Sequence, residues 1–210
     1  MRSKLKVNAQ KVWEILENNF GDAQCSLIKD TPYRLAIRGI LSAQCTDKRV
    51  NEETGKLFRD FPDPSDIYKL DYEVLSKYIA PCGLTKAKTE AVIEFTRRFI
   101  EDWNCEIPRD TDELMKCKGV GRKIANLMVG EIYGIQRTVV DTHLKRVAYR
   151  IGLTDETNPI KVEMDLDKIF EENQRINLGH RMIELGRSYC QARKPDCDSC
   201  PMNEICKKRI

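Results

Sequence analysis

Apolar residues recur at helical spacing along almost the whole chain, and no run of residues shows the alternation of a half-buried strand. That pattern predicts an all-α fold. Val12, Ile15, Leu16 and Phe20 share one helical face and stop at Gly21. Tyr33, Ile37, Ile40 and Leu41 begin after Thr31-Pro32, an N-cap followed by proline at the first helical position. Val50, Leu57 and Phe58 mark a third helix that Asp47 could cap. Val74, Leu75, Tyr78 and Ile79 mark a fourth after Asp71, ending at Pro81-Cys82-Gly83. A longer helix carries Ala87, Ala91, Val92, Phe95, Phe99 and Ile100, and further helices are predicted over residues 112–117, 122–133, 142–151, 160–172 and 178–190.

At Cys190 this periodicity collapses. Four cysteines, Pro195, Pro201 and five basic residues fill positions 190–210. Cys190, Cys197, Cys200 and Cys206 follow the spacing C-x6-C-x2-C-x5-C. The intervening loops are long enough to fold back and short enough to keep closure entropy small, so four thiolates can surround one zinc ion or one iron–sulfur cluster. Spacing alone leaves these two equally favoured, because only the central C-x2-C is a zinc-type knuckle. Disulfides are disfavoured: nine cysteines cannot all pair, and 210 residues need no covalent staples. Cys25, Cys45, Cys82, Cys105 and Cys117 stand singly and read as small core side chains.

Lys and Arg number 36 and Asp and Glu 33, for a net charge of +3. That balance neither points to nor excludes nucleic acid; only clustered cations would. The segment from Met1 to Lys6 runs into Glu14, Glu17 and Asn18 without a signal-peptide core, and nowhere are there the roughly 20 apolar residues a membrane helix needs. The expectation is a cytoplasmic protein.

Two further constellations carry chemistry. In Lys118-Gly119-Val120-Gly121-Arg122-Lys123, glycines one residue apart permit a tight turn with positive φ, and the helix that follows offers unpaired N–H groups suited to a DNA phosphate. Lys123 falls in that helix's first turn, where the positive end of the dipole works against a protonated amine and leaves a nucleophile. In Val139-Val140-Asp141-Thr142-His143, Asp141 occupies an N-cap position, and the capping N–H groups favour the ionised carboxylate that could assist an attacking group.

These elements, in this order, resemble the helix-hairpin-helix DNA glycosylase superfamily over nearly the whole chain. The likeness includes Leu41-Ser42-Ala43-Gln44-Cys45-Thr46-Asp47, Gly83-Leu84 with Lys86-Ala87, the hairpin, Val140-Asp141-Thr142-His143 and the four-cysteine spacing. The resemblance implies a 4Fe-4S cluster on Cys190, Cys197, Cys200 and Cys206. It also implies a six-helix barrel domain with the hairpin at 25–135, and a cluster domain from 1–24 with 136–210. Lys123 matches the nucleophile and Asp141 the aspartate that assists it. Adenine-specific relatives typically carry serine at the lysine position and thymine-mismatch relatives tyrosine, so lysine implies a bifunctional glycosylase and abasic-site lyase for oxidised pyrimidines. Gln44 and Leu84 would enter the DNA stack, Gly119, Val120 and Gly121 would hold a backbone phosphate, and Arg193 and Lys194 would reach another. The implied partner is duplex DNA with a damaged pyrimidine or abasic site, bound by a monomer at the nucleoid. Cys117-Lys118 replaces the Leu-Pro usual before the hairpin, and Ile124 stands where threonine is common. A DNA-binding module without catalysis is the competing reading, and a cysteine-dependent enzyme a third.

Overall fold

The computed structural model describes residues 7–210, so the basic start from Met1 to Lys6 lies outside the described residues. Among these are eleven α-helices and no strand. The chain divides into two compact units, one of residues 25–135 and the other of residues 1–24 with 136–210.

The first unit is built around α2 (Pro32–Leu41), whose Leu35 to Leu41 segment is entirely buried. Thr31 caps this helix by accepting from the Arg34 N–H, with Pro32 at the first position. A helix buried over a run of seven residues must be central, and α2 packs against α3 (Asp47–Asp60), α6 (Thr85–Glu101) and α8 (Arg122–Tyr133). Its one buried cation, Arg38, donates to the Thr54 hydroxyl, the Ile28 carbonyl and the Asp30 carboxylate, so no donor is stranded in the core. The remaining helices are α4 (Pro64–Tyr68), α5 (Tyr72–Ile79) and α7 (Thr111–Leu114).

This unit departs from the sequence expectation in three places. Thr46, not Asp47, caps α3, its hydroxyl accepting from the Arg49 N–H at 3.3 Å, and Asp47 becomes the first helical residue. The helix expected over 112–117 shrinks to the four residues of α7, because Cys117 donates to the Leu114 carbonyl in a turn instead of continuing the ladder. The short α4, with Asp63 before Pro64, was not foreseen; its five residues are too few for a period to show.

The second unit packs α11 (Arg175–Ser188) against both α1 (Ala9–Phe20) and α9 (Thr142–Ile151), with α10 (Pro159–Ile169) completing the core. The close crossing of α9 and α11 occurs at Gly186, where a Cβ would come within 3.2 Å of His143, Arg146 and Val147. α10 ends earlier than expected because Phe170 turns to extended backbone, and α11 begins earlier, at Arg175, directly after a turn of 3-10 helix over Glu172–Gln174.

Candidate active site and metal centre

In the hairpin between α7 and α8, Val120 donates to the Cys117 carbonyl and its side chain is buried, so this residue can offer a ligand only its backbone. The two glycines serve different ends. Gly119 has φ +77°, and a Cβ there would sit 2.8 Å from that of Ala91 on α6. Gly121 is extended, at φ −89°, and acts as the N-cap of α8, its carbonyl accepting from Ile124 and Ala125. Only one of the pair therefore needs the left-handed region; the space beside the other is open. Lys123 is exposed in the first turn of α8. Lys118 pairs closely with Glu90 across to α6, so its charge is partly spent within the fold rather than presented beside the hairpin.

Gln44 and Leu84 share an unusual backbone. Both have left-handed φ, +53° and +48° respectively, and both are exposed. A non-glycine residue in that region is disfavoured by about 1–2 kcal/mol, so surrounding structure must impose it. Leu84 follows Gly83, itself at φ +74°, and begins α6 with no side-chain cap. The result is a large apolar side chain held 51% exposed at a loop tip.

In the second unit, Asp141 caps α9. Its Oδ1 accepts from the Leu144 N–H at 2.7 Å and its Oδ2 lies 3.1 Å from His143 Nδ1, leaving the carboxylate largely covered. In the sequence His143 stands only as the end of the Val140-Asp141-Thr142-His143 motif, with no role of its own. The signal was its spacing: two residues after an N-cap aspartate, an imidazole can swing back to the free oxygen.

The four tail cysteines line one pocket, with Arg150, Tyr189 and Met202 among its walls. Cys190 leaves α11 by donating to the Leu185 carbonyl, Cys200 donates to Cys197, and Cys206 donates to Met202, whose buried side chain anchors the tail. Arg150, near the end of α9, donates to the Gln191 and Ala192 carbonyls and lies 3.5 Å from Cys190 Sγ; the Lys208 N–H donates to Cys206 Sγ. Burial raises the Cys200 and Cys206 thiols above their ordinary range, backbone N–H groups partly offset this, and the neighbouring cysteines add to the rise. Four thiolates crowded this way repel one another until a cation neutralises them. Arg193 and Lys194 stand exposed on the loop that this scaffold holds.

The family model for HhH-GPD superfamily base excision DNA repair proteins matches residues 37–172, and that for the iron–sulfur binding domain of endonuclease III matches 190–206. Endonuclease III of a Synechocystis species is 38% identical over 207 residues, covering 98% of this chain and 94% of the relative. The chain belongs to the endonuclease III family. Endonuclease III of Bacillus subtilis is 36% identical, with 90% of this chain and 87% of the relative covered, and that of Escherichia coli is also 36% identical, with 84% of each covered. A trapped covalent intermediate of endonuclease III with DNA superposes with a TM-score of 0.90 at 38% identity over 95% of this chain and 96% of the other. A thermostable thymine-DNA glycosylase, at 22% identity and a TM-score of 0.79, shares the fold. The protein is thus a DNA glycosylase of base excision repair, with DNA as its partner and an iron–sulfur cluster in its C-terminal segment. The balance between zinc and iron–sulfur falls to iron–sulfur, and the reading as a non-catalytic DNA-binding module falls away. No helix among the described residues is long and apolar enough to cross a membrane.

Proposed function

We propose that this endonuclease III-family protein is bifunctional: it removes oxidised pyrimidines from duplex DNA and then cleaves the strand at the resulting abasic site. The observation that carries this reading is the exposed Lys123 in the first turn of α8, immediately beyond a hairpin whose Gly121 side is open to a close approach. A damaged base stacks and pairs poorly, so the few kcal/mol needed to extrude it are smaller at a lesion. Gln44 and Leu84, held outward by their left-handed backbone, would fill the vacated stack. The backbone amides of Gly119 and Gly121 would hold one phosphate, with Val120 fixing the turn between them through its bond to the Cys117 carbonyl, and Arg193 and Lys194 would engage another.

The Lys123 Nζ would attack the sugar C1′ as the base departs; loss of one amine proton and opening of the C1′–O4′ bond, with O4′ taking up a proton, would yield the protonated Schiff base. Abstraction of a C2′ proton then breaks the C3′–O bond, expelling the 3′ phosphate by β-elimination. Asp141, fixed by Leu144 and His143, would assist the attack as an ionised carboxylate. Cys190, Cys197, Cys200 and Cys206 would hold a 4Fe-4S cluster, whose contribution when bound is to clasp the tail in which Arg193 and Lys194 sit. Residues 25–135 would form the six-helix barrel domain and the remainder the cluster domain of a monomer. Incubation with a duplex containing one thymine glycol tests the reading. Release of the base together with a β-elimination end supports it; base release without strand cleavage contradicts the lyase assignment.

A further inference from the structure

Among the described residues Lys88 is the one buried lysine, at 4% exposure, on a side chain that almost always stays in water. It sits against two penalties. Burial strips the ammonium of solvent, and the first turns of α6 place it near the positive end of the helix dipole. What it gains is a hydrogen bond: Lys88 Nζ donates to the Cys82 carbonyl at 2.7 Å. That carbonyl closes a 3-10 turn over Ala80–Cys82, whose other end is tied by the Gly83 N–H donating to Ala80 at 3.0 Å. Helical side chains tilt toward the N-terminus, so a long unbranched one at the fourth position of α6 points back over the loop before it. The Lys88 backbone N–H donates as well, to the Leu84 carbonyl at 3.0 Å. One residue therefore grips the loop twice, once on each side of Gly83-Leu84.

We infer that Lys88 is a positioning residue for DNA binding: its ammonium clamps the Cys82 carbonyl so that Leu84 stays outward on its left-handed backbone, ready to enter the base stack. Between the two grips only Gly83, at φ +74°, and Leu84, at φ +48°, remain to be set. Leu84 cannot fix itself, because it begins α6 with no side-chain cap and its side chain is 51% exposed. Without the ammonium the Cys82 carbonyl loses its partner, and the tip relaxes toward backbone that leucine prefers. The wedge is then present but no longer aimed. The consequence for activity rests on the insertion role proposed above for Leu84.

The experiment compares the full-length, cluster-loaded wild type with Lys88→Met, which keeps the reach of the side chain and loses its donor. The probe is a duplex carrying 2-aminopurine opposite an uncleavable abasic analogue. Wild type raises the fluorescence as the base unstacks; Lys88→Met raises it less, and its single-turnover release of thymine glycol slows about tenfold. Hydrogen exchange quickens in peptides over residues 80–87 and elsewhere matches the wild type. Lys88→Arg, which keeps a donor for the carbonyl, recovers the fluorescence. With Leu84→Ala already present, Lys88→Met slows release by less than about twofold more, because both changes act through one contact. An equal loss in the two backgrounds overturns the proposal, as do wild-type fluorescence and exchange in Lys88→Met. If Leu84→Ala itself releases the base as the wild type does, the insertion role fails; quickened exchange in Lys88→Met then supports the clamp, and unchanged exchange overturns it. Should Lys88→Met not fold, Lys88→Gln, whose donor ends one bond short, takes its place.

Discussion

Asp141 caps α9, and the assisting role proposed for it would use the same carboxylate, so the two roles can be separated. Asparagine keeps an Oδ1 acceptor for the Leu144 N–H and is as good an N-cap as aspartate, but it carries no charge. Asp141→Asn is expected to melt as the wild type does, while base release falls about 10²-fold or more; parallel thermal denaturation and single-turnover assays check this. Asp30 provides a pH signature of a different kind. Burial pushes its carboxyl up, and hydrogen bonds from Arg38 and Arg34 more than reverse that, leaving it at about 2 against an ordinary value of 3.8. Because the folded value is depressed, the stabilisation is fully present above pH 3.8 and is lost as pH falls through 2. Wild type and Asp30→Asn should therefore differ in urea-unfolding midpoint at pH 6 and converge between pH 3.8 and 2. A constant gap across that range contradicts the assignment.

Among the elements, the hairpin offers the sharpest contrast. Gly119→Ala places a Cβ 2.8 Å from Ala91 on a backbone at φ +77°. A loss of about 1–3 kcal/mol in stability is expected from strain of that kind. Gly121→Ala meets open space at an extended φ, so its stability should change by less than about 1 kcal/mol, the difference between glycine and alanine at an N-cap. Its affinity for abasic duplex should nevertheless drop, because the methyl group stands where a phosphate would approach. Stability by chemical denaturation and affinity by fluorescence anisotropy distinguish the two variants. Elements were legible where the signal was periodic or chemical: α2 showed both its cap and its buried run, and α9 its aspartate. They were illegible where tertiary contact decides. Nothing local shows that Thr46 displaces Asp47 as a cap, or that the Cys117 turn truncates α7. The same limit hid His143, whose partner Asp141 is visible in sequence but whose ring orientation is not. The left-handed backbone at Gln44 and Leu84 escaped as well, since glutamine and leucine give no hint of positive φ.

For the whole molecule, net charge was the wrong quantity to read. Many of the charges behind the +3 cancel in pairs within the fold, such as Lys118 with Glu90, Arg97 with Asp102 and Arg49 with Glu53, so the sum does not say where cations cluster. What remains for DNA is local, and Arg193 and Lys194 on the cluster loop are the exposed pair best placed by sequence to serve it. Replacing both with alanine should lower the slope of log affinity against log salt by about 2, one unit per phosphate contact, in titrations across a range of potassium chloride. An unchanged slope removes them from the interface. The nine cysteines divide similarly by position: four line one pocket near the C-terminus, and the other five are scattered singly through residues 25–117. The central claim concerns one amine. Borohydride reduction during reaction with an abasic duplex should trap a covalent protein–DNA adduct with the wild type and none with Lys123→Ala; an adduct that persists in Lys123→Ala would contradict the assignment of Lys123 as the nucleophile.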